Sequence, residues 1–211
     1  MINIDIIRQK LKPGLVTDIL WTLLGQIAVM LVLLIVNKVL SNNLSIKDFG
    51  IYNIIKRSTS VLSFVLLGGM GITIPRYLSV SISKHKISET QLVLRVSWAY
   101  LFMVCMITSA IYLLLYSRLT EYVIGDDNLV FYILCLLYAI TIAISSYFFA
   151  YYRGIGNFKM FNIVQIIFQV LMVVPLLLPM KTLVTIIYEW TILNTIFIVS
   201  LSAIEYKKYK N

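Results

Sequence analysis

Six long apolar runs separated by short polar breaks dominate the chain, near residues 17–40, 54–80, 91–116, 129–152, 161–180 and 182–204. Each is long enough to cross a hydrocarbon layer of about 30 Å at about 1.5 Å of helical rise per residue. The runs are apolar on all sides and lack the residue-by-residue alternation of barrel strands, so each predicts a membrane-embedded helix. The breaks are Ser41-Asn42-Asn43, Ser81 to Gln91, Ser117 to Asn128, Arg153 to Lys159 and Pro179-Met180-Lys181. None is a Pro/Ser-rich linker. The expected architecture is therefore one all-α polytopic membrane domain of six transmembrane helices over 17–204.

Two basic segments flank that domain. Residues 1–16 interleave Arg8, Lys10 and Lys12 with Ile4, Ile7, Leu11 and Leu15 ahead of a break at Pro13-Gly14, which predicts an interfacial foot on the membrane. Residues 205–211 form a basic tail. No Ala-x-Ala pattern follows the first run, so it reads as a retained helix and not a cleaved signal. In the fourth run Ala139, Ala143, Ser146 and Ala150 recur at helical spacing, a stripe that lets a neighbouring backbone approach closely.

Composition removes the soluble classes. The 211 residues are 60% hydrophobic and only 13% charged, and the mean hydropathy is +0.92. The net charge of +9 changes the picture only when it is placed. With the N-terminus inside, the cytoplasmic set is Arg8, Lys10, Lys12, Arg76, Lys84, Lys86, Arg95, Arg153, Lys159, Lys207, Lys208 and Lys210, twelve of the 18 basic residues. The 117–128 loop on the other side carries Glu121, Asp126 and Asp127. Basic loops stay cytoplasmic, so an N-in, C-in topology is expected. Scattered over short segments, these charges form no nucleic-acid stripe, and anionic lipid headgroups are the simpler counter-charge. Trp21, Trp98, Tyr151, Tyr152 and Tyr206 near one boundary, with Tyr116 and Tyr122 near the other, read as anchoring belts.

Ionisable groups inside the apolar runs are costly and mark candidate sites. Lys56 and Arg57 open the second run, and neighbours on a helix diverge by about 100°, so at most one faces a given cavity squarely while the other snorkels outward. Glu189 lies about 12 Å along the sixth run from Lys181. That places it level with Lys56 and Arg57. Two readings stay open: a structural salt bridge between helices two and six, or a basic pair that meets an anionic head group while Glu189 carries a coupling cation. Arg76 and Arg153 close runs at the cytoplasmic face. Gly68, Gly69 and Gly71 before Pro75-Arg76, and Gly154 and Gly156 after Arg153, predict bends or tight packing there.

Enzyme and metal motifs are missing. The one histidine, His85, sits between Lys84 and Lys86. No H-E-x-x-H or phosphate-loop pattern is present. Asp126-Asp127 reads as a solvated turn, and Cys105 and Cys135 as packed or lipid-facing thiols. No catalytic residue, metal or cofactor is expected.

Three local patterns point to a family. Ser45-Ile46-Lys47-Asp48-Phe49-Gly50-Ile51-Tyr52 resembles the D/E-F-G-x-Y turn after helix one of the polysaccharide and oligosaccharide flippases of the multidrug/oligosaccharidyl-lipid/polysaccharide exporter superfamily. Gly69-Met70-Gly71-Ile72-Thr73-Ile74-Pro75-Arg76-Tyr77 is similar to their helix-two ending. Tyr152-Arg153-Gly154 with Phe158, Asn162 and Gln165 resembles their R-G-x-x-x-F signature between helices four and five. Such exporters carry two six-helix lobes around a central cavity, and this chain resembles the N-terminal lobe alone.

The resemblance implies translocation of a polyprenyl-pyrophosphate-linked oligosaccharide across the cytoplasmic membrane for O-antigen, capsule or a related surface polymer. It implies substrate contact by Lys56, Arg57, Arg76 and Arg153, and coupling to H+ or Na+ through Glu189. A second six-helix lobe or a second copy of the chain would be the partner, since alternating access needs two bundles. A non-transporting remnant or accessory subunit, and a cation-coupled multidrug extruder, are the alternative readings.

Overall fold

A computed structural model describes residues 15–84, 86–119, 129–177 and 182–210. The described elements are helices α1 (Leu15–Asn43), α2 (Ile46–Leu67), α3 (Met70–Ser83), α4 (Ile87–Leu114), the short α5 (Tyr116–Leu119), α6 (Leu129–Gly154), α7 (Phe158–Leu171) and α8 (Leu183–Lys210), with a 3-10 turn at Val174–Leu177 before α8. Six stretches are long and apolar enough to cross a bilayer, with α2 and α3 together forming one of them. The protein is an all-α, multi-pass membrane protein. Residues 1–14 of the expected foot, His85, the 120–128 part of the acidic loop and Pro179-Met180-Lys181 lie outside the described residues, while Leu15 and Val16 begin α1.

Several boundaries differ from the sequence expectation, each for a local reason. Asn42 and Asn43 still belong to α1, and the chain reverses at Leu44-Ser45. Ser45 caps α2: its hydroxyl oxygen accepts from Asp48 N–H at 3.1 Å and donates to the Asp48 carboxylate at 2.7 Å. The Asp48-Phe49-Gly50 segment is thus the first turn of a helix and not a turn between helices. The second span runs over Ile46–Ser83, 38 residues, instead of 54–80. It breaks in the middle, where Gly68 (φ 52°) and Gly69 (φ 78°) take left-handed conformations that side-chain-bearing residues avoid. Pro75-Arg76 therefore lie inside α3 and do not end the helix. Helix α8 continues to Lys210, so most of the expected tail is helical.

Helix α6 is the hub, packing against α2, α3, α4, α7 and α8. Between apolar helices in lipid there is little hydrophobic gain, so close van der Waals approach decides which helix sits in the middle. Ala139, Ala143 and Ala150 are fully buried; Ser145, not Ser146, is the fully buried serine beside them. At Gly154 a Cβ would stand 3.0 Å from Leu78 Cβ and 3.1 Å from Pro75 Cα, so a methyl group there would have to push α3 back by a few tenths of an ångström. Helix α1 instead lies along α7, where a Cβ on Gly25 would fall 2.4 Å from Asn162 Oδ1. Leu24 and Leu34 of α1, and Phe102 and Met106 of α4, point outward into the region lipid occupies.

Candidate functional site

The capped start of α2 sets which of its side chains turn inward: Tyr52, Ile55, Thr59, Ser63 and Leu66 form the buried stripe. Lys56 sits at the edge of that stripe and is half-buried. Its Nζ donates to Asn37 Oδ1 of α1 at 3.4 Å and lies 5.7 Å from the centroid of the Tyr52 ring. The Tyr52 hydroxyl also donates to Asn37 Oδ1, again at 3.4 Å. Both contacts are long, so one amide oxygen is shared by two donors and neither is held firmly.

Lys56 opens on a cavity of about 230 Å³ between α1, α2, α6, α7 and α8. Lys56, Ser60 and Gln169 give it a polar side, and Tyr52, Tyr138 and Trp190 an aromatic one. The aromatic side is fixed in place. Trp190 Nε1 donates to the Met172 carbonyl at 2.8 Å, the Tyr138 and Trp190 rings stack at 5.9 Å, and Tyr52 meets Trp190 at 6.1 Å. Farther along the same α1–α7 contact, Gln26 Nε2 donates to Gln165 Oε1 at 3.0 Å. Helices α1 and α7 thus carry four amides, Gln26, Asn37, Gln165 and Gln169, of which Gln26 and Gln165 bond each other and Asn37 accepts from the Lys56 ammonium.

Arg57 does not share that cavity. One residue further round α2, it is exposed and lines a lateral groove of about 410 Å³ between α2, α4 and α6. The divergence expected of neighbours on a helix is what the structure has. Glu189 lies at the level expected, one residue before Trp190, but α8 contributes Ile187 and Trp190 to the cavity and not Glu189. No ion pair joins Glu189 to Lys56 or Arg57; among pairs of described residues the ion pair is Lys86 with Glu89. Of the two readings left open, the structural bridge between helices two and six is therefore not formed.

The two remaining candidates stand near the opposite end of the bundle. Arg76 is exposed on α3. Arg153 donates through Nη2 to the Gly71 carbonyl at 3.1 Å and covers the Phe161 ring at 5.3 Å. Pro75 has no N–H, so the Gly71 carbonyl loses its intrahelical donor, and the guanidinium replaces it. Arg153 is thereby tied to the α3–α6–α7 packing and is not brought together with Lys56.

One cluster differs from the sequence expectation. Tyr151 and Tyr152, expected as interfacial anchors, are buried and donate to Glu205 Oε2 at 3.0 Å and Oε1 at 2.8 Å. Glu205 is 9% exposed and ends the sixth span, which therefore carries a second carboxylate besides Glu189. The available signal was an acid placed just before the Lys207-Lys208 pair, at the last turn of an apolar run.

Cys105 and Cys135 are free thiols, half-buried and buried. Among the described residues no group of three His, Cys, Asp or Glu could hold a metal ion. Comparison with protein-family models, with curated proteins and with solved structures finds no match for the chain.

Proposed function

We propose that this protein is a six-helix half of a membrane transporter that moves a polyprenyl-pyrophosphate-linked oligosaccharide across the cytoplasmic membrane during surface-polysaccharide synthesis. The observation that supports this most is Lys56. A half-buried ammonium held by one long hydrogen bond, lining a cavity between the helices of an apolar bundle, is a site that an anionic head group completes. The local sequence resemblance to oligosaccharide flippases supplies the substrate class, and the six-helix architecture fits one lobe of such a transporter. In this reading Lys56 meets the pyrophosphate, Arg76 is a cation at the cytoplasmic rim, and Arg153 acts by holding α3. Glu189 is the proposed H+ or Na+ coupling group, and a second lobe or a second copy closes the path.

The test is lipid-linked oligosaccharide translocation in proteoliposomes containing the full chain, with and without a matching second lobe. Lys56→Ala is expected to lower the rate by at least about tenfold, the loss of one charge-assisted hydrogen bond to phosphate. An unchanged rate removes Lys56 from the mechanism. Glu189→Gln is expected to change the ion or pH dependence of transport; a change confined to folding yield removes it from coupling.

A further inference from the structure

The lateral groove beside Arg57 is separate from the Lys56 cavity and calls for its own occupant. Its wall along α2 runs from Arg57 and Ser58 through Val61 and Leu62 to Val65. Eight residues of helix cover about 12 Å, directed from one end of the bundle toward its middle. The opposite wall begins with Tyr112 and Tyr132, whose rings stack at 4.1 Å. Tyr132 lies in the first turn of α6 and Tyr112 in the last turn of α4, so the groove reaches the ends of both helices, and Arg57 lies toward the end of the α2 wall nearer the start of the second span. A lipid whose phosphate met Arg57 would lay its chains along this wall toward the middle of the bundle. Among the described residues the Arg57 guanidinium has no hydrogen-bond or ion-pair partner.

Two unmet needs therefore coincide. A guanidinium without a protein partner at the end of an apolar wall is complemented by an anion, and the apolar trough beside it accepts a hydrocarbon chain. We infer that this groove is a binding site for one anionic phospholipid of the adjacent leaflet, its phosphate on Arg57 and one acyl chain along Val61, Leu62 and Val65. A planar guanidinium presents paired donors to two phosphate oxygens, which favours Arg over Lys at this position. The site does not rest on the transport reading: it would hold a lipid in a transporting or a non-transporting protein.

The experiment is native mass spectrometry of the full chain released from detergent micelles, titrated with palmitoyl-oleoyl phosphatidylglycerol or the corresponding phosphatidylcholine. One retained phosphatidylglycerol is expected, preferred about fivefold over phosphatidylcholine, the scale of one basic group acting on an anionic lipid. Arg57→Gln removes the preference and Arg57→Lys keeps part of it. Val61→Trp, which fills the trough, lowers retention of both lipids. Lys47→Gln, an equal change of net charge at the same end of α2, leaves retention as it was. Absence of a preference in the unmodified chain overturns the proposal, as does equal loss in Lys47→Gln or full retention in Val61→Trp. These arms decide the matter even where Arg57→Gln fails to fold. A polyprenyl phosphate that displaces phosphatidylglycerol at equal concentration overturns the assignment to a bilayer phospholipid.

Discussion

The two ends of α6 solve the same problem in opposite ways. Near Tyr151–Gly154 Glu205 is held by two tyrosine hydroxyls, Arg153 by the Gly71 carbonyl, and α3 packs tightly against Gly154, while Arg76 stays exposed and Asn162 Oδ1 has no hydrogen-bond partner among the described residues. Near Tyr132–Tyr138 the helices part. A cavity and a groove open on either side of α2, Lys56 and Tyr52 share one amide oxygen at 3.4 Å, and Arg57 reaches into the groove. Tight polar closure stabilises a bundle, whereas loosely held charge leaves binding capacity for something else. The difference sets tight packing and short polar bonds at one end against loosely held charge at the other.

Substitutions can break that division. The largest effect is expected at Gly154→Leu, where the added side chain meets Leu78 and the Pro75 backbone within about 3 Å; overpacking of this kind costs about 3 kcal/mol or prevents folding. Gly50→Ala is the matched control, with nothing within 4 Å of its Cβ and an expected gain of up to about 1 kcal/mol. Denaturation in micelles, followed by circular dichroism, measures both. Equal behaviour of the two would mean that the α3–α6 crossing is not tight.

Next comes Glu205→Ala, which leaves two buried tyrosine hydroxyls without their acceptor and should cost about 2–3 kcal/mol. Glu205→Gln should recover roughly half of that through its remaining amide oxygen. A smaller effect is expected from Gln26→Leu and Gln165→Leu: a double-mutant cycle should give a coupling near 0.6 kcal/mol, the usual scale of an interhelical hydrogen bond in a membrane. Smallest of all, Lys56→Met should change stability by less than about 0.5 kcal/mol, because its ties to Asn37 and Tyr52 are long. A loss at Lys56 as large as that at Glu205 would erase the distinction between the ends.

Much of this architecture can be read from the chain because its signals are local. Apolar runs mark the spans, the glycine pair at 68 and 69 marks the break in the second one, and the small stripe on the fourth run marks the hub. The split between Lys56 and Arg57 also follows from helix geometry alone. What local pattern does not carry is which residues meet across the bundle. The Gln26–Gln165 bond joins positions 139 apart, and Asn37 reads as the polar end of a span until α2 folds back against it. Glu205 was misjudged because an acid beside lysines looks like a solvated tail, although the helix carries it into the packing against α6. Glu189 shows the reverse: correct depth along its helix does not fix the direction in which a side chain points.

The Arg153–Gly71 bond has a consequence in time as well as in space. A chain made from its N-terminus inserts α3 long before Arg153 exists, since the two partners lie 82 residues apart. Until the fourth span follows, the carbonyl that Pro75 leaves without a donor must find another partner or remain unmet. The third helix is thus finished by a later one, and the early half of the protein reaches its final hydrogen bonding only once the nascent chain has grown past its middle.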